Sequence, residues 1–206
     1  MARYLDVHPD NPQPRAVAQV VDLLREGGLV AYPTDSGYAL GCRMDARDGT
    51  ERIRRIRRLD DKHHFTLVCA DFAQLGHFVM VDNAVFRAIK AATPGPYTFV
   101  LRATSEVPRR LAHPKKRTVG VRIPADRVAQ AIVAELGEPL LSSSLILPGA
   151  TEAMTDGWQI KEELDHVVDA VVDGGERGSA PTTVVDASDG VPEVVREGAG
   201  DPSRFA

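Results

Sequence analysis

Apolar residues along this chain switch between helical and alternating spacing, and the switches mark out its elements. Residues 17–25 place apolar side chains three and four apart and run into Glu26-Gly27-Gly28, which predicts a helix with a glycine stop. Residues 29–33 form a short β-type run closed by Pro33, followed by a turn at 34–37 and a second apolar segment at 38–42. Thr50 reads as the N-cap of a helix over 50–59, with Ile53, Ile56 and Leu59 on one stripe and the arginines left facing outward. A strand is expected at 65–69, a short helix at 71–78 and a capped amphipathic helix at 83–92, punctuated by Pro94-Gly95-Pro96.

Farther on, residues 97–101 and 118–123 are rich in β-branched and aromatic side chains and predict strands. A helix over 124–136 stops at Gly137, and 139–147 reads as a buried strand opening into a loop. A short helix at 160–164 and strands at 167–172, 182–186 and 191–196 complete the pattern, with 174–180 as a flexible surface loop. No internal repeat or low-complexity linker divides these elements. The expectation is a single domain over residues 1–206, α/β in class, with a mixed and largely parallel sheet flanked by helices.

Composition narrows the class. At 206 residues, 43% apolar and 26% charged, the chain has a globular balance. A domain of that length buries roughly 70% of its extended surface. No apolar run approaches the ~20 residues of a membrane span, and the N-terminus lacks a signal-type core, so a cytoplasmic location without a membrane partner is expected. Cys42 and Cys69 each end an apolar run and are expected to be small buried hydrophobes. The histidines show no helical metal-ligand spacing, which predicts no structural metal.

Charge adds a direction. The net charge is -4, yet Arg52, Arg54, Arg55, Arg57, Arg58 and Lys62 form one basic group, Arg109, Arg110, Lys115, Lys116 and Arg117 form another, and acidic residues dominate 162–201. An acidic protein arranged in this way can still present one basic face. The arginines at 52–58 repel one another and call for an anion, or else for pairing with Asp60, Asp61 or C-terminal carboxylates. Hydroxyl clusters stand at strand ends: Thr34 to Ser36, Thr118 with Arg122, Ser142 to Ser144, and Thr182 with Thr183. Strand ends of α/β sheets are where ligands bind, and arginines beside hydroxyls suit carboxylate and phosphate, although each cluster alone also fits an ordinary turn. Neither GxxxxGK[ST] nor GxGxxG occurs. The residues therefore point to a phosphate-bearing ligand, a nucleotide or RNA, held in another way.

The stretch YPTDSGYALG at 32–41 resembles the YPT(D/E)TxYGLG signature of the YrdC family. PGPYT at 94–98, VGVRIP at 119–124, PTTVVD at 181–186 and VREG at 195–198 resemble its later motifs in the same order. PTDSGYALGC, FTLVC and LSSSLILPG are similar to the YciO branch of that family. The resemblance implies a twisted sheet with a concave basic face. It also implies condensation of L-threonine, bicarbonate and ATP, with Mg²⁺ accompanying the nucleotide, into threonylcarbamoyl-AMP and pyrophosphate. That product is the activated intermediate for a modified adenosine beside the anticodon of many tRNAs. Double-stranded RNA is a further partner implied by the family.

By position, threonine contacts fall on Thr34 or Ser36, Arg122, Ser142 and Thr182, and ATP contacts on Arg57, Thr118, Ser144 and Arg196. Candidate duplex contacts are Arg54, Arg55, Arg58, Arg109, Arg110, Lys115, Lys116 and Arg117. The synthase branch carries a KxR motif, whose lysine falls on Arg57 and whose arginine falls on Leu59, and an SxN motif whose asparagine falls on Ile146. One cation and one amide are replaced, and losing a hydrogen bond to a charged group costs about 1.5–3 kcal/mol. The expectation is a slow or diverged threonylcarbamoyl-AMP synthase, with a non-catalytic module binding double-stranded RNA as the alternative.

Overall fold

The structure is a computed structural model that describes residues 1–60, 63 and 65–205. Lys62, placed above in the first basic group, and Asp61, named as a possible partner for it, lie outside the described residues. The strands are β1 (Arg3–Asp6), β2 (Val30–Thr34), β3 (Gly37–Arg43), β4 (Thr66–Val68), β5 (Val79–Met80), β6 (Tyr97–Ala103), β7 (Thr118–Arg122), β8 (Leu140–Ser144), β9 (Ala170–Asp173), β10 (Thr183–Asp186) and β11 (Glu193–Arg196). The helices are α1 (Pro14–Arg25), α2 (Arg47–Arg57), α3 (Phe72–Phe78), α4 (Asn83–Ala92), α5 (Arg127–Leu136) and α6 (Gly157–Leu164), and the single turn of 3-10 helix Pro202–Phe205 follows.

These strands form one mixed sheet in the order β1-β9-β2-β3-β8-β4-β7-β6-β10-β11, with β5 added along β6. β9 lies parallel to β1 and β2, β4 to β7, and β6 to β10, while β3, β8 and β11 run antiparallel to their neighbours. Two apolar clusters cover the two faces. On one, Val17, Val20, Val21 and Leu24 of α1 and Val128, Ile132 and Val133 of α5 pack on Tyr32, Ala39, Val68 and Leu140. On the other, Ile53 and Ile56 of α2, Val85 and Ile89 of α4 and Ile160 of α6 join Tyr38, Leu40, Leu67, Phe99, Leu101, Val119, Val121 and Val185. Burying each such side chain contributes about 1.5–3 kcal/mol. Cys42 and Cys69 are free and buried, and burial pushes both thiols up to about 12. Among the described residues no helix is long and apolar enough to cross a membrane.

Several expectations need correction. β1 and β5 are strands without a sequence signal: each is short, and each is held by backbone pairing, to β9 and β6 respectively. Thr50 does not cap α2 but lies within it, and its hydroxyl donates to the Ala46 carbonyl at 3.0 Å. The arginines of α2 do not all face outward. Arg52 bonds Asp169 at 2.7 Å and the Val167 carbonyl at 2.7 Å, and Arg54 lies 5.0 Å above the Phe65 ring. α5 starts at Arg127, capped by Asp126, and α6 starts at Gly157, capped by Asp156. The loop at 174–180 is tied down: Arg177 Nε bonds the nearly buried Asp126 carboxylate at 2.8 Å, and Nη1 bonds the Gly174 carbonyl at 2.6 Å.

α2 presses on β3 through Gly49, where an added Cβ would sit 2.7 Å from Cys42 Cβ and 2.9 Å from its Sγ. Helix propensity favours alanine there by about 1 kcal/mol. Overfilling a packed contact costs about 1–3 kcal/mol, so packing wins. Gly49→Ala is expected to lower the melting temperature in a thermal scan, and a rise would show that this helix does not bear on β3.

Candidate functional site

The side chains of a strand alternate between the two faces of a sheet, and in the central strands that alternation separates apolar from polar residues. Val119 and Val121 of β7, Phe99 and Leu101 of β6, Leu67 of β4 and Val185 of β10 enter the cluster under α2 and α4. Their neighbours Thr118, Gly120, Arg122, Thr98, Val100, Thr66, Val184 and Asp186 turn the other way. That second face is covered by α1 and α5 toward β9, β2 and β3, with Leu140 of β8 in the same cluster. Over β4, β7, β6 and β10 it stays open and forms the floor of a cavity of about 490 Å³.

Strand register lays out the floor. Ser142, Thr66, Gly120, Val100 and Asp186 face one another in turn across β8, β4, β7, β6 and β10. Val184 pairs with both Thr98 and Arg196. Neighbouring strands lie ~4.8 Å apart, so one such row spans a nucleotide-sized ligand. At its centre a Cβ on Gly120 would come to 3.0 Å from Thr66 Oγ1 and 3.5 Å from Thr98 Cγ2, so glycine leaves the floor open there. Arg57, His63, His113, Lys116, Ser143, Ser144, Ile146, Thr182 and Arg196 complete the walls.

Arg122 is the anchor of the site. It is 94% buried, its Nη2 is paired with the Asp35 carboxylate, and its Nη1 donates to Ser36 Oγ at 3.1 Å. Asp35 is fixed in turn by the Ala125 amide at 3.0 Å. Arg122 Nε is buried and finds no hydrogen-bond partner among the described residues. A buried N–H of a cation left in this way costs about 1–3 kcal/mol, and a ligand oxygen would remove that cost.

The remaining polar walls differ in how far they are already occupied. Arg57 Nη1 donates to Ser143 Oγ and Nε to the Ile146 carbonyl at 3.3 Å, neither of which is an anion, and burial holds its guanidinium below the ordinary value. Arg196 donates through Nε and Nη2 to the Thr182 carbonyl at 3.2 and 2.8 Å, and Thr182 Oγ1 shares a 2.9 Å hydrogen bond with Thr98 Oγ1. Tyr32 shares a 2.7 Å hydrogen bond with Ser142 Oγ, and burial pushes its phenol up to about 12, so it stays neutral. Among the described residues no group of three or more His, Cys, Asp or Glu is placed to hold a metal ion.

The structure brings together Arg57, Thr118, Ser144 and Arg196 of the nucleotide set and Arg122, Ser142 and Thr182 of the threonine set. Thr34 and Ser36 do not line the cavity. Thr34 Oγ1 closes the β2–β3 turn by donating to the Gly37 carbonyl at 2.7 Å, and Ser36 supports Arg122 from behind. Of the eight basic residues assigned to a duplex, Lys116 lines the cavity, Arg110 reaches the Met44 carbonyl and Arg54 covers Phe65, while Arg55, Arg58, Arg109, Lys115 and Arg117 are exposed. Leu59 packs against the main apolar cluster. Thr66, Thr98, His113 and Asp186 were missed, although Thr98 and Asp186 stand inside family-like motifs; Thr66 joins them through the pairing of β4 with Ser142 and Gly120, which leaves no mark in the sequence.

The fold and sequence have known relatives. Residues 22–198 match the Sua5/YciO/YrdC family model, whose description is telomere recombination. The chain is 50% identical to YciO of Escherichia coli over the whole of both chains, and superposes on its crystal structure with a TM-score of 0.96. A threonylcarbamoyl-AMP synthase of Vibrio vulnificus is 33% identical over 82% of this chain and 92% of its own length. P. abyssi Sua5, in a crystal structure complexed with L-threonine, superposes with a TM-score of 0.85 at 26% identity, over 95% of this chain and 57% of that one. With most of its length inside the family model, and with relatives 50% and 33% identical, the chain belongs to the Sua5/YciO/YrdC family.

Proposed function

We propose that the cavity binds an α-amino acid of the threonine kind together with ATP and condenses them with bicarbonate into a carbamoyl adenylate, threonylcarbamoyl-AMP in the case of L-threonine. The observation that carries this reading is the unpartnered, buried Arg122 Nε on a floor of hydroxyls. A carboxylate satisfies it by a charge-assisted hydrogen bond. The name of the V. vulnificus relative and the threonine held by P. abyssi Sua5 support threonine as the amino acid.

In this reading Arg122 takes the carboxylate, while the hydroxyls of Ser142 and Thr182 line the amino acid's place. The threonine amine and bicarbonate give a carbamate and water. A carbamate oxygen then attacks the α-phosphorus of ATP, and pyrophosphate leaves. Arg57 and Arg196 stand where phosphate charge accumulates, with Thr118 and Ser144 as hydroxyl donors. Preorganised cations in a poorly solvated site stabilise such charge without reorganising. Mg²⁺ enters with the nucleotide in this scheme, since among the described residues the cavity wall offers Asp186 but no cluster of carboxylates.

Ile146 sets the rate. It lines the cavity where the synthase motif places an asparagine, so an apolar side chain stands in place of an amide. Pyrophosphate release by the purified chain is expected to require ATP, bicarbonate and L-threonine together, and to run slower than release by the V. vulnificus synthase assayed alongside. Ile146→Asn is expected to raise the rate several-fold. No release in any combination, from either form of the protein, refutes the synthase reading.

A second reading, double-stranded or transfer RNA lying across the cavity mouth, is favoured by one observation. The two basic groups meet: Arg110 reaches the Met44 carbonyl ahead of α2, and Arg57 and Lys116 share one cavity. Exposed Arg55, Arg58, Arg109, Lys115 and Arg117 would then follow phosphates by shape rather than by sequence. Replacing Arg55, Arg58 and Arg109 with glutamine is expected to reduce the slope of log affinity against log salt by roughly 2–3 units in a duplex titration. An unchanged slope, or no duplex binding at low salt, rules this partner out.

A further inference from the structure

A triphosphate presents more charge than Arg57 and Arg196 can meet, and just past the end of α2 Leu59 packs against the apolar cluster and offers no cation. The cavity wall just ahead of β7 supplies one. The segment joining β6 to β7 brings three cations in succession, Lys115, Lys116 and Arg117, and of these only Lys116 lines the cavity.

Its placement is built rather than incidental. His113 Nδ1 accepts from the Lys115 amide at 3.2 Å and from the Lys116 amide at 3.0 Å. The His113 amide donates to the Thr118 carbonyl at 2.8 Å, and the Arg117 amide donates to the His113 carbonyl at 2.9 Å. Arg117 then takes a left-handed backbone conformation, φ 56°, which reverses the chain into β7. Arg110, bonded to the Met44 carbonyl, fixes the start of the same segment against the stretch preceding α2. The turn therefore holds the Lys116 backbone two residues from Thr118, a cavity hydroxyl of the nucleotide set, and directs one cation of the three inward.

We infer that Lys116 is a third phosphate-binding cation of this cavity beside Arg57 and Arg196, contacting the pyrophosphate portion of the nucleotide and standing in for a cation at position 59, where this chain has Leu59. The inference rests on the nucleotide-binding reading above and gives it a residue on a different element. Lysine suits the task because its ammonium is a compact point charge on a flexible stem, able to follow phosphate oxygens that move as the α–β bond breaks. A role limited to shaping the turn predicts otherwise, since the turn is held by backbone amides and His113 and not by the lysine side chain.

Titration calorimetry of the full chain with ATP, AMP and inorganic pyrophosphate tests this. Lys116→Ala is expected to weaken ATP and pyrophosphate by about tenfold, as for loss of one charge-assisted contact, and to leave AMP unchanged. Lys116→Arg is expected to keep most of the affinity, and both variants should melt with the wild type because the side chain is exposed. If wild type binds ATP while Lys116→Ala binds ATP and pyrophosphate equally well, or loses AMP to the same degree, the assignment is wrong and the nucleotide site stands without it. If wild type binds neither ATP nor pyrophosphate, the nucleotide reading falls and this assignment with it.

Discussion

Strand alternation is the constraint on which the whole site depends. A residue that turns its side chain into one cluster obliges its neighbours to face the opposite side of the sheet. Val119 and Val121 are committed to the cluster beneath α2 and α4, so Thr118, Gly120 and Arg122 are committed to the other face. Phe99 and Leu101 do the same for Thr98 and Val100, and Leu67 for Thr66. A register slip of one residue in β7 would bury Thr118 and Gly120 in the apolar cluster and expose two valines to the cavity. The hydrophobic effect on one face therefore fixes the geometry of polar groups on the other. No separate scaffold is needed for the ligand site, because helices α1 and α5 cover the same face only where it is apolar.

Charge sets the second constraint. An isolated guanidinium held inside a protein loses several kcal/mol of solvation, and the pairing with Asp35 and Ser36 offsets that for Arg122 while leaving Nε unsatisfied. The pair also explains the tight β2–β3 turn. Asp35 can reach Arg122 only because the chain reverses between Thr34 and Gly37, where Thr34 Oγ1 accepts from the Ser36 amide at 3.1 Å and Gly37 adopts φ 85°. Gly37 has no room for a side chain, since a Cβ would come within 2.8 Å of Ala153 Cβ. A protein with net charge -4 thus concentrates Arg57, Lys116, Arg122 and Arg196 in one cavity, where among the described residues Asp186 is the carboxylate that lines it.

Much of this was legible in the sequence where a single physical signal dominated. Helices α1 and α4 follow from apolar spacing and stop signals, and β6 and β7 from β-branched and aromatic content. Arg122, Ser142 and Thr182 were picked out as hydroxyls and a fork at strand ends, and the fold unites them. Other features depended on tertiary contact and left no local mark. β1 is a strand only because β9 is beside it. Thr50 looks like a cap until the chain ahead of it, from Arg47, is also helical. The α2 arginines look alike in the sequence, yet Arg52 meets Asp169, Arg54 meets Phe65 and Arg57 turns to the cavity, according to which neighbour each finds. Thr34 and Ser36 bear hydroxyls of the right kind, and the sequence does not show that Thr34 bonds the Gly37 carbonyl and Ser36 accepts from Arg122.

The central claim is that Arg122 is held incomplete for a ligand carboxylate, and a crystal structure of the chain soaked in L-threonine tests it most directly. The account predicts a threonine carboxylate oxygen within about 3 Å of Arg122 Nε, with the Asp35 pair retained and the amino acid lying toward Ser142 and Thr182. Threonine bound elsewhere in the cavity, or a site that stays empty while Nε is met by a protein group, would contradict it.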